Sequence, residues 1–161
     1  MNKLNKMIKA YRHGIVIPYQ AMRAADNAGV PYYVLCAFLE QETAGGHNEF
    51  GHDPTIFVGA GAVTKSKYLK YKRQRDAQAP SRRRMQGVGP MQLTWYTYQD
   101  RADKLGGCWK PYINTYVGAT LLHDYWNRFG DWWSVAKAYN GSAEYADEVY
   151  KKIKKWKSLM S

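Results

Sequence analysis

Cysteine is scarce in this chain of 161 residues: only Cys36 and Cys108 occur. Two thiols cannot build a disulfide scaffold, and both are expected to be reduced and buried. Long apolar runs are lacking too. The longest stretch free of Asp, Glu, Lys and Arg is Met85–Gln99, which holds two glycines, a proline and several polar residues. That excludes a membrane-spanning helix. No apolar signal core followed by small residues opens the chain, so synthesis in a cytoplasm without the usual export route is expected. There is no repeat of roughly 20–50 residues, no low-complexity tract and no Pro- or Ser-rich linker. With 45% apolar and 23% charged residues, disorder is excluded as well. The expectation is one folded domain over residues 1–161, expected as a monomer.

Acidic residues are in short supply, 13 against 24 Lys and Arg, for a net charge of +11. The excess is local. Lys65–Arg84 holds nine basic residues and the single acid Asp76, and Lys151–Lys157 adds five lysines. The remainder is nearly neutral. Such clusters attract polyanions: nucleic acid, anionic lipid or anionic wall polymers. Charge alone does not choose among them.

Helical patterns bracket an irregular middle. A short basic helix is expected over Lys3–Tyr11, within a basic extension 1–17. Helices follow over Pro18–Asn27 and Pro31–Thr43, each opened by proline and stopped by glycine-containing turns. Residues 44–90 lose the helical period and carry many glycines, which suggests a cleft-forming insertion. Short strands near Ile56–Val58 and Val63, and a helix over Lys65–Asp76 charged on most faces, are compatible with it. Helices return over Thr94–Leu105, Pro111–Phe129, Trp132–Tyr139 and Ala143–Lys157, the last two capped by Asp131 and Ser142. The fold class is mainly α, with an irregular and possibly β-containing insertion forming one wall of a cleft.

One carboxylate sits on the wrong face. At about 100° per residue, Phe38, Leu39 and Glu42 fall within about 60° of Leu35, whereas Glu40 falls about 140° away. Glu42 therefore follows the apolar face, while Glu40 reads as an ordinary solvated residue. Glu42 also lies in the last helical turn, where the dipole disfavours negative charge. Burial and dipole both favour the neutral acid, the preparation a general acid needs.

The motifs downstream carry a resemblance. Glu42-Thr43 at a helix end, Gly87-Val88-Gly89-Pro90-Met91-Gln92-Leu93 and Ala136-Lys137-Ala138-Tyr139-Asn140-Gly141 occur in this order. They resemble the Glu-Ser/Thr, G-x-M-Q-L and A-x-A-Y-N-x-G segments of the lysozyme-like superfamily, with its lytic transglycosylases and goose-type lysozymes. Gly118–Phe129 is similar to the helix before the last motif. Gln41-Glu42-Thr43, Gly51-His52-Asp53, Gly89–Trp95 and Arg101–Pro111 further resemble the glycan-cleaving domain of endolysins from phages of actinobacteria. This likeness runs from about Pro18 to Ile153 and departs at Ala44, where many relatives have glycine.

The resemblance implies a lysozyme-like α+β fold and cleavage of the β-1,4 bond between N-acetylmuramic acid and N-acetylglucosamine in peptidoglycan. It implies a muramidase for host lysis in which Glu42 protonates the leaving oxygen. An inverting hydrolase needs a base about 6.5–9.5 Å from the acid. Asp53, eleven residues on, is the candidate, with Thr55 orienting water. Glu49 is the weaker candidate, in what reads as a loop. A lytic transglycosylase would need Glu42 alone, since the substrate's own hydroxyl attacks. Gln92, Tyr139 and Asn140 are expected to face sugar, Tyr139 positioning either Glu42 or the ring. Lys72, Arg73, Arg82, Arg83 and Arg84 are expected to attract anionic wall polymers in place of a separate wall-binding domain. A holin would open the route from host cytoplasm to wall.

Three other classes compete with this reading. A zinc hydrolase would need His47, His52, Asp53 and the distant His123 in a ligand spacing that they do not have, so no metal and no cofactor is expected. A nucleic-acid binder would use the Lys65–Arg84 run with Tyr68 and Tyr71, but no recognition motif accompanies it and Glu42 is left unexplained. A non-catalytic wall-binding module would bind without cleaving.

Overall fold

The computed structural model describes residues 1–52 and 59–161. The expected strand at Ile56–Val58 lies outside the described residues, as do Asp53 and Thr55.

Eight α-helices make up most of the described chain. Helix α1 spans Lys3–Arg12, with Asn2 as N-cap accepting from the Asn5 amide at 2.9 Å. Helix α2, Pro18–Ala28, starts on proline and ends at Gly29 in the left-handed conformation, φ 71°. Helix α3 covers Tyr32–Thr43, and Val34 through Leu39 are all buried. It is the central strut, packed against α2 on one side and α8 on the other.

The expected irregular stretch contains a small β layer and a helix. Strand β1, Glu49–Phe50, pairs antiparallel with β2, Gly61–Ala62, in the register Glu49 to Ala62. Val63, expected as a strand, is the residue after β2. Phe50 bridges to Val88, which bridges to Leu93. Helix α4, Lys65–Asp76, is capped by Thr64 and lays the buried rings of Tyr68 and Tyr71 on this layer; Phe50 and Tyr71 meet 6.1 Å apart.

The second half is helical. Helix α5 covers Tyr96–Lys104, α6 Pro111–Phe129, α7 Trp132–Asn140 and α8 Ala143–Leu159. The side chains of Asp131 and Ser142 cap α7 and α8 as their spacing predicts, at 2.8 and 3.2 Å. Helix α6 packs on α2, and α7 folds onto α8. Both cysteines are free and buried. No helix among the described residues is long and apolar enough to cross a membrane.

One solvent-facing assignment is corrected by packing, and one basic residue proves buried. Glu40 is not an ordinary solvated residue: it accepts from Lys155 at 2.7 Å and from the buried indole of Trp156 at 2.6 Å. The face of α3 opposite Leu35 meets another helix, not water. Arg75, one of the nine basic residues of the Lys65–Arg84 run, is completely buried.

Candidate active site

The end of α3 sets the site. Ala44 closes the helix with a left-handed φ of 52°, the conformation that favours glycine. The chain then passes tightly against the α1–α2 linker. A Cβ on Gly45 would lie 2.0 Å from the Gly14 carbonyl oxygen, so only glycine fits.

Glu42, the penultimate residue of α3, is half-buried over an aromatic floor. Phe38, one turn earlier, meets the Tyr139 ring edge-on at 5.4 Å and the Tyr145 ring at 6.5 Å. The Tyr145 hydroxyl, in the first turn of α8, donates to the Glu42 carboxylate. Among the described residues no cation is paired with Glu42. Burial pushes its pKa up from 4.5 to about 7, and the Tyr145 hydrogen bond holds it down only in part.

The Gly87–Leu93 segment folds back beneath this corner as a tight turn, with Val88 and Leu93 exchanging backbone hydrogen bonds. Three helices clamp it. The Thr43 hydroxyl of α3 donates to the Pro90 carbonyl at 2.8 Å, and the Tyr139 hydroxyl of α7 donates to the Met91 carbonyl at 2.6 Å. Asn114 of α6 donates to the Val88 carbonyl at 2.8 Å and accepts from the Met91 amide at 3.0 Å. Gly118 leaves room for the same turn, since a Cβ there would lie 2.6 Å from the Met91 side chain.

Gln92 stands in this turn at a left-handed φ of 50°. Its amide nitrogen donates to the carbonyls of Glu49 at 2.9 Å and Gly89 at 3.1 Å. Its oxygen packs over Gly51 and Gly87, where a Cβ would approach it to 2.7 and 2.4 Å. Gln92 thereby fastens the turn to β1. It also lines, with Leu93, Trp95, Tyr98, Tyr125 and Tyr139, a cleft of about 200 Å³. Burial first, and then the charge of nearby Glu42, raise the Tyr139 pKa.

The structure thus brings Glu42, Gln92 and Tyr139 to one corner. Asn140 lies exposed at the end of α7. Asp53 and Thr55 lie outside the described residues. Glu49 is held on β1 and not in a loop.

The basic cluster is divided. Lys72 pairs with Asp103 at 2.6 Å. Arg83 leans on the Tyr96 ring at 4.7 Å, with Asp76 at 3.9 Å. Arg73 and Arg84 are exposed, and Arg82 closes the short 3-10 turn Pro80–Arg82.

Sequence reasoning missed Tyr145, four residues beyond the Ala136–Gly141 motif. The signal that marks it is its place three residues after the Ser142 cap, in the first turn of a helix that packs on α3. It missed Thr43 and Asn114 as clamps as well.

Among described residues there is no group of three or more His, Cys, Asp or Glu able to hold a metal ion. Residues 58–158 match the family described as Transglycosylase SLT domain. That span includes the Gly87–Leu93 turn, Tyr139 and Tyr145, and begins after Glu42. No curated protein and no solved structure matches the chain. The lysozyme-like helical fold and a match over more than half of its length agree: the chain belongs to the transglycosylase SLT domain family, enzymes that cleave peptidoglycan.

Proposed function

We propose that the chain is a phage endolysin that cleaves the β-1,4 bond between N-acetylmuramic acid and N-acetylglucosamine, with Glu42 as general acid. The observation that carries this reading is Glu42 itself. It is a carboxyl lifted to about pH 7 by burial, without a counter-cation among the described residues, beside a cleft lined by aromatic rings.

Protonated Glu42 gives its proton to the glycosidic oxygen as the C–O bond breaks, and positive charge develops on the muramic acid ring. In the hydrolytic reading Asp53 takes a proton from a water held by Thr55, and that water adds to the anomeric carbon. The tyrosine hydroxyls and the Gly87–Leu93 turn hold the acid and the floor of the cleft in place. Asn140 and Gln92 supply polar edges for the acetamido sugars. The chain forms a single catalytic domain, with residues 44–90 as an insertion that leads into the Gly87–Leu93 turn and residues 1–17 as a basic extension. Arg73, Arg82, Arg83, Arg84 and Lys72 draw the protein to anionic wall polymers. A holin releases the protein from the host cytoplasm, and it acts as a monomer.

The second reading keeps Glu42 and dispenses with Asp53. The substrate's own hydroxyl attacks, giving up its proton to the carboxylate that Glu42 has become, and a 1,6-anhydro end forms. The family description supports it.

Mass spectrometry of soluble products from purified peptidoglycan tests both. Reducing muramic acid ends are expected. Products lighter by one water, with 1,6-anhydro ends, would replace hydrolysis by transglycosylation. An absence of sugar products would remove the reading altogether.

A further inference from the structure

Helix α1 is amphipathic, yet its apolar residues are largely turned outward. Only Ala10 is buried, while Leu4, Ile8 and Tyr11 are 61%, 41% and 67% exposed. Their spacing of four and three residues puts them on one stripe. Tyr19, 60% exposed at the start of α2, extends it. Between the two helices lies an almost wholly apolar groove of about 350 Å³, lined by Met7, Ile8, Tyr11, Arg12, Pro18 and Tyr19.

The charge around this stripe is predominantly positive. Helix α1 carries Lys3, Lys6, Lys9 and Arg12 and no acid. Only Lys3 has a carboxylate partner among the described residues, Asp26 at 2.7 Å. Arg23, exposed on α2, stands over the Tyr112 ring at 4.5 Å and lies 5.8 Å from the Tyr19 ring. His13, which follows α1, meets the buried ring of Trp156 edge-on at 6.2 Å. This contact carries the lysine-rich end of α8, with Lys157 exposed, to the same end of the molecule.

We propose that α1 and the first turn of α2 form a docking face for an anionic lipid bilayer. An apolar stripe flanked by cations whose long stems let the charges reach a headgroup layer is the pattern of an interfacial helix. Leu4 and Ile8 enter the acyl boundary, Tyr11 and Tyr19 sit at headgroup level, and Lys9, Arg12 and Arg23 meet lipid phosphates. Other occupants fit less well. A glycan needs polar partners for its hydroxyls, and the groove offers hardly any. A nucleic acid gains nothing from Leu4 and Ile8. A second copy would bring two acid-free cationic helices face to face.

Sedimentation of the full chain with vesicles tests this, comparing equimolar phosphatidylglycerol and phosphatidylcholine with phosphatidylcholine alone. Binding to the anionic vesicles is expected, weakened by salt. Leu4→Glu/Ile8→Glu should lower the partition at least about tenfold, since both the buried apolar area and the charge match are lost. Lys9→Gln/Arg12→Gln should lower it less. Lys104→Gln, exposed at the end of α5 and outside both basic clusters, should leave it unchanged. Circular dichroism checks that each variant is folded. Cleavage of purified, lipid-free peptidoglycan by Leu4→Glu/Ile8→Glu should match the wild type, and Glu42→Gln should still bind vesicles, so this face and the active site fail separately. Equal binding to neutral vesicles, no binding to anionic ones, or a Leu4→Glu/Ile8→Glu variant that binds like the wild type would each overturn the proposal.

Discussion

Arg75 and Glu42 are both drawn in from water, and their surroundings treat them in opposite ways. At the α4–α5 junction Arg75 is completely buried, with Asp76 at 2.9 Å, Asp100 at 2.7 Å and the Gln99 side-chain oxygen at 2.8 Å. Its charge is balanced, and burial's tendency to lower its pKa is overcome by these partners. At the end of α3, the one hydrogen-bond partner of Glu42 among the described residues is the neutral Tyr145 hydroxyl, and burial raises its pKa to about 7. Arg75 is fixed in one charge state and holds structure together. Glu42 sits near the midpoint between two charge states at neutral pH, which suits proton transfer. The same helix repeats the contrast: Glu40, two residues earlier, is held by Lys155 and Trp156.

The largest expected effect is on rate. Glu42→Gln keeps the shape and the acceptor for Tyr145 but carries no transferable proton. Turnover of purified peptidoglycan should fall about 10³-fold, within the range for loss of a general acid. The far-ultraviolet spectrum should not change. Near-normal turnover would sink the assignment.

Breaking the other region should affect stability and not chemistry. Arg75→Met leaves Asp76 and Asp100 without their shared cation. Because these acids remain 43% and 38% exposed, the loss should be about 2–3 kcal/mol, below the range for fully buried pairs. Urea unfolding measures it, and turnover per folded molecule should be unaffected. A variant as stable as the wild type would mean that Arg75 balances nothing.

The two regions should also differ in pH dependence. A carboxyl whose folded pKa is raised contributes stability that is fully present below about pH 4.5. That contribution is lost as pH rises through about 7. Glu42→Gln does not titrate, so it should be more stable than the wild type above pH 7 by roughly 1–3 kcal/mol and equal to it at pH 4. Thermal melts across that range check both ends.

The smallest effects concern tuning. Tyr145→Phe removes the one bond that favours ionised Glu42, so the alkaline limb of the pH–rate profile should move to higher pH. An unmoved limb with lower turnover would mean that Tyr145 only packs. Neutralising Arg82, Arg83 and Arg84 should weaken wall binding and flatten its salt dependence. Arg83 rests on Tyr96, so a companion melt is needed to separate binding from packing.

Much of this contrast is legible in the sequence. Glu42 is marked by its place on the apolar face of α3, and the helix ends by Pro18, Gly29, Asp131, Ser142 and Gly130. These signals are local, carried within one or two turns. Arg75 is not legible, because a basic residue among nine reads as solvated until α5 brings Asp100 and Gln99 to it. Glu40 is obscured likewise by α8. Tyr145 meets Glu42 across 103 positions, and no periodicity spans that distance. Gln92 is legible as a motif residue, but its grip on the Glu49 and Gly89 carbonyls depends on a left-handed backbone that only the folded turn reveals.

A carboxyl-carbon NMR titration of the folded enzyme, with Glu42→Gln assigning the resonance, addresses the central claim most directly. Glu42 should titrate near pH 7. A Glu42 midpoint near 4.5 would mean that the carboxylate is solvated or paired, and that this corner is not prepared for general acid catalysis.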